Sequence, residues 1–66
     1  MDVTVNGKPE SVEAESSLEA LLNRLGLAVD GVAVAVNHRV IPRSERLGYQ
    51  LRESDTIEVV QAVGGG

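Results

Sequence analysis

The chain has 66 residues, no cysteine, one histidine (His38), one aromatic residue (Tyr49) and a formal net charge of −4. A chain of this length makes one small domain near the lower limit for folding without staples, with little room for an internal active site. The composition excludes a disulfide framework and a thiol nucleophile and offers no metal site around His38 alone; the acidic charge and the single stacking ring argue against nucleic acid.

Asp2-Val3-Thr4-Val5-Asn6 alternates polar and apolar residues at the period of a half-buried strand, and Asn6-Gly7 is a hairpin-turn signal. The return strand is expected over Ser11-Val12-Glu13-Ala14. Ser16, with Glu19 three residues later, fits a capping box that opens a helix bearing Leu18, Leu21, Leu22 and Leu25 at helical spacing. Gly26 closes that helix as a C-terminal cap. The leucine stripe reads as core, because it belongs to the one clear helix and the sheet needs a cover.

Gly31 to Asn37 is a short β-branched run that reads as a buried strand, and Arg39-Val40-Ile41 pairs back across Asn37-His38. Pro42 offers no amide donor and ends the pairing, so Arg43 to Gln50 is an irregular connection or short helical turn. Glu53-Ser54-Asp55 then turns the chain into a last strand, Thr56 to Ala62. The order ββ, α, ββ, irregular, β predicts an α+β domain of β-grasp type, with one main helix on one face of a mixed sheet of about five strands.

The chain ends on Gly64-Gly65-Gly66, so a domain over residues 1–63 with a flexible glycine tail over 64–66 is expected. Glycine has no Cβ, which lets a backbone thread a narrow slot and leaves a terminal carbonyl unhindered. If the first and last strands lie parallel in the middle of the sheet, both run toward the Asn6-Gly7-Lys8 turn and the tail leaves beside it. Four residues from Val63 reach at most about 14 Å, enough to carry Gly66 into a partner's cleft. With Ile57 and Val59 facing the core, alternation puts Glu58, Val60 and Ala62 on the opposite face with Ala33 and Ala35, a candidate docking patch. His38, Arg39, Arg43 and Lys8 read as solvated surface residues.

Val5-Asn6-Gly7, Val34-Ala35-Val36-Asn37, Val40-Ile41-Pro42-Arg43-Ser44-Glu45 and Asp55 to Val60 leading to Val63-Gly64-Gly65-Gly66 together resemble the ThiS-like sulfur carriers of bacterial thiamine biosynthesis. The resemblance spans essentially the whole chain and implies a ubiquitin-like β-grasp fold. It also implies that Gly66 is adenylated by an E1-like enzyme (ThiF-like), converted to a thiocarboxylate and used as sulfur source at thiazole synthase (ThiG-like), with Gly64 and Gly65 threading the partner site. A sulfur donor protein is a further implied partner. ATP and magnesium are expected in the activating enzyme, since this chain has no phosphate-cradling G-x-x-x-x-G-K motif. Two positions depart from the family pattern: Arg46-Leu47 stands where an aromatic residue is common, and Ser54 where the last turn often has glycine.

The chain is thus expected to be a carrier acted on by enzymes and not an enzyme itself, as no nucleophile with a base, metal cluster or carboxylate pair is visible. A molybdopterin-synthase small-subunit type of carrier and a non-catalytic β-grasp interaction module are the alternatives. The segment Met1-Asp2-Val3-Thr4 lacks signal-peptide character, and no apolar run approaches the roughly 20 residues that span a bilayer, so a cytoplasmic protein without membrane contact is expected.

Overall fold

The computed structural model describes residues 1–27 and 31–61, Gln61 through its backbone alone. Strand β1 (Asp2–Val5) buries Val3 and Val5. Asn6 and Gly7 both take positive φ, 50° and 83°, as a two-residue type I′ turn demands. Strand β2 (Lys8–Ser11) therefore begins at once, with Lys8 opposite Val5 and Ser11 opposite Asp2. This corrects the expected return strand at Ser11–Ala14: a two-residue turn leaves no intervening loop, and the pairing is complete by Ser11.

Helix α1 (Leu18–Arg24) is capped by Ser17, whose extended backbone precedes the first turn and whose Oγ accepts the Ala20 N–H at 3.1 Å. The expected capping box of Ser16 and Glu19 does not form. With Ser17 as the cap, Glu19 falls one position short of the reciprocal contact, and the Ser16 hydroxyl donates to the Glu13 carbonyl at 2.7 Å instead. At the other end Gly26 adopts φ 73° as expected. Its N–H donates to the Asn23 carbonyl at 3.1 Å and the Leu27 N–H to that of Leu22 at 2.8 Å, the paired bonds of a Schellman motif. Leu18, Leu21 and Leu22 are buried and Leu25 is partly so, which makes the leucine stripe core.

Strand β3 (Val32–Val36) buries its three valines and leaves Ala33 and Ala35 on the other face. A second two-residue turn, Asn37-His38 at φ 52° and 68°, leads into strand β4 (Arg39–Val40). Pro42 ends the pairing and precedes the short helix α2 (Arg43–Arg46). The Arg46 guanidinium donates to the Val32 carbonyl at 2.8 Å, fixing the connection to the start of β3, whereas Leu47 is 77% exposed.

Strand β5 (Thr56–Gln61) completes a five-stranded sheet in the order β2-β1-β5-β3-β4. It runs parallel to β1 and antiparallel to β3, and α1 supplies the apolar cover on one face, so the domain is a β-grasp. Ile57, Val34, Leu18 and Leu22 lie at its centre, each 1% exposed or less.

The turn into β5 has its own polar framework. Asp55 is buried, its Oδ1 accepting from Asn37 Nδ2 at 2.9 Å and its Oδ2 from the Arg52 N–H at 2.8 Å. Ser54 sits at φ 69° while its N–H donates to the Asp2 carbonyl at 2.8 Å, so serine here holds the conformation for which glycine is suited. Asp55→Ala strands two donors and is expected to lower unfolding free energy by about 2–3 kcal/mol in urea titrations. Ser54→Gly keeps the backbone bond and relieves the left-handed strain, against a greater entropy loss, for an expected net gain of about 0.5–1 kcal/mol in the same assay.

Candidate functional site

The candidate site is the place where β5 leaves the sheet, together with the sheet face that α1 does not cover. β5 is paired on both sides. Thr4 and Val5 lie beside Thr56 and Ile57, and Val32 to Val36 run antiparallel beside Gln61 to Ile57. On the β1 side the Thr4 N–H donates to the Asp55 carbonyl and the Asn6 N–H to that of Ile57, each at 2.9 Å. Both central strands head toward the Asn6-Gly7 turn, as the sequence pattern predicts. One further rung comes from a side chain: Asn6 Oδ1 accepts the Val59 N–H at 2.8 Å.

The uncovered face follows from strand alternation. Ile57 is buried and Val59 packs partly against the core, so Glu58 and Val60 project from the other side. Ala33 lies opposite Val60 and Ala35 opposite Glu58, which brings four of the five predicted patch residues together. Val60 is 63% exposed. The fifth, Ala62, lies outside the described residues, as do Gly64, Gly65 and Gly66.

Val40, 68% exposed, belongs to the same patch, since it stands directly opposite Ala35 on β4. The sequence held the signal for it. A two-residue turn at Asn37-His38 pairs Val36 with Arg39 and hence Ala35 with Val40, which fixes the face of Val40 by counting. Apart from Glu58, the surface that results is apolar and made of small side chains. At its border His38 Nδ1 lies 3.5 Å from Glu58 Oε1 in an exposed pair.

Among the described residues no group of three or more His, Asp or Glu side chains is placed to hold a metal ion. An open depression of about 560 Å³ is lined by Arg39, Glu45, Tyr49, Arg52 and Asp55, but both Asp55 oxygens are already engaged by Asn37 and Arg52. No described helix is long and apolar enough to cross a membrane.

The chain matches the model of the ThiS family over residues 3–66. It is 34% identical to the sulfur carrier protein ThiS of Thermus thermophilus over 64 residues, 97% of this chain and 98% of that one. A thiazole synthase of Magnetococcus marinus is 44% identical over 66 residues, which are all of this chain and 20% of that protein. The chain likewise spans about a fifth of a matching thiazole synthase of Paramagnetospirillum magneticum. Among solved structures, the crystal structure of the thiamine biosynthesis protein ThiS from Geobacter metallireducens aligns with a TM-score of 0.86 at 32% identity, covering the whole of both chains. A family match through all but the first two residues, joined to a structural alignment that covers both chains in full, has one meaning: the chain belongs to the ThiS family.

Proposed function

We propose that this chain is a sulfur carrier of thiamine biosynthesis that works through a thiocarboxylate on Gly66. The observation that carries the reading is the family match, which continues through the glycine end, in a domain whose last strand is aimed past the Asn6-Gly7 turn. Relatives of similar length bear the name sulfur carrier, and carriers are substrates of enzymes, not catalysts.

The chemistry needs only a free carboxylate at the end of a narrow arm. A Gly66 carboxylate oxygen attacks the α-phosphorus of ATP in an E1-like partner, forming an acyl adenylate and releasing pyrophosphate. A sulfur donor at the oxidation level of sulfide then attacks the carbonyl carbon, and AMP departs with the electron pair of the C–O bond. Gly64 and Gly65 present no side chain to the partner's slot. The resulting thiocarboxylate, a better nucleophile than the carboxylate, delivers sulfur at thiazole synthase. Thiazole synthases that contain a segment like this chain favour that acceptor, because one polypeptide would hold carrier and acceptor at millimolar effective concentration.

The face of Ala33, Ala35, Val40, Glu58 and Val60, apolar but for Glu58, is the docking surface in this reading. It lies on the strand that continues into the arm, so docking and threading are coupled. Val60→Asp puts a charge at the centre of that face and is expected to raise the apparent Kd for the activating enzyme about tenfold or more. Because Val60 is exposed, stability in urea is expected to change by no more than about 1 kcal/mol. Undiminished affinity would remove the face from the docking surface.

The reading as a whole is tested by intact mass after incubation with the activating enzyme, ATP and sulfide. The expected result is replacement of one oxygen by sulfur in the full chain and no change in a chain lacking Gly64 to Gly66. With an enzyme shown to be active on another carrier, no gain by the full chain would refute it.

A further inference from the structure

Resting on the carrier reading of the arm, we infer that Asn6 is a positioning residue for Gly66: its side chain replaces a missing rung of β1 and fixes the direction in which β5 leaves the sheet. In a parallel ladder, a residue that donates to one partner carbonyl accepts, through its own carbonyl, from the N–H two residues further along that partner. Asn6 donates its N–H to the Ile57 carbonyl, so its own carbonyl is the acceptor that Val59 would be expected to use. At φ 50° the main chain is already turning into Gly7, and the acceptor that Val59 finds is the side-chain Oδ1, at 2.8 Å.

Two requirements thus fall on one residue. The turn demands positive φ, which glycine, asparagine and aspartate tolerate, and the rung demands a short side chain ending in an acceptor. Glycine satisfies only the first. On its far side β5 is held by β3, with Val59 opposite Val34, so the Asn6 bond fixes its near side at the last point where β1 is in reach. Beyond Val59, seven residues lead to Gly66, a covalent reach of up to about 25 Å. A pivot of about 10° at Val59 swings an arm of that reach by about 4 Å, whereas misplacements near 1 Å already cost about a hundredfold in rate at a reacting centre.

Asn6→Gly keeps the turn and deletes the acceptor; Asn6→Asp keeps both. The two variants and the parent chain are assayed for thiocarboxylate formation with the activating enzyme, ATP and sulfide, with thermal unfolding recorded alongside. The expected result is that Asn6→Gly folds, holds KM within about twofold and loses about tenfold or more in kcat, while Asn6→Asp recovers most of that loss. An Asn6→Gly variant that turns over like the parent overturns the assignment, as does an Asn6→Asp variant as slow as Asn6→Gly. If the parent chain gains no sulfur, the carrier reading has failed, and NMR of the isolated proteins decides the positioning. Faster exchange of the Val59 amide with altered residual dipolar couplings at residues 60 and 61 in Asn6→Gly, restored in Asn6→Asp, sustains it; unchanged values overturn it.

Discussion

The parallel pairing of β1 with β5 is the constraint on which the rest of this domain depends. It joins the first strand to the last, so it closes the longest loop available and gains nothing until that loop is closed. Parallel neighbours cannot be joined by a hairpin, and everything between Val5 and Thr56 becomes the crossover. α1 covers the core face on the way, β3 and β4 extend the sheet on the far side of β5, and α2 is strutted to β3 by Arg46. Val3, Val5 and Ile57 become the floor on which Leu18 and Leu22 pack.

A central β5 also explains how two asparagines do more than make turns. Asn37 and Asn6 each stand at the start of a two-residue hairpin loop with positive φ, and each reaches β5 from a different neighbouring strand. Asn37 Oδ1 accepts the Thr56 N–H at 2.9 Å where β5 begins, and its Nδ2 donates to Asp55. Asn6 takes Val59 further along. A strand held by its neighbours' turns as well as by their ladders has little freedom to slip. Under the proposed function that rigidity matters, because the accuracy of a reactive arm begins at its root.

Such a domain divides labour between its faces. The covered face supplies stability and carries the large aliphatic side chains. The other displays Ala33, Ala35, Val40 and Val60, which in the proposed function permit close approach of a partner without a deep pocket. In the proposed function, chemistry is left to the partner that receives the arm, and relatives of similar length are named as carriers.

Local pattern alone determined the element order, the two asparagine-led turns, the leucine stripe, the Gly26 cap and the alternation that separates Ile57 from Glu58 and Val60. These are legible because they depend on neighbours two to four residues apart, through strand and helix periodicity and the turn's demand for positive φ. Where two local solutions compete at nearly equal cost, pattern failed: Ser16 and Ser17 are both able caps, and the choice fell to Ser17 as Ser16 turned to Glu13. The sequence also carried the family resemblance and, in its glycine end, the reason to look there for function. Only the tertiary structure decided that Asn6 meets Val59 and that Asn37 and Asp55 meet across the sheet, whereas the face of Val40 follows from counting across its two-residue turn. The first two contacts join residues 53 and 18 positions apart, and no local periodicity encodes which distant donor will lie beside a given acceptor once the strands have paired.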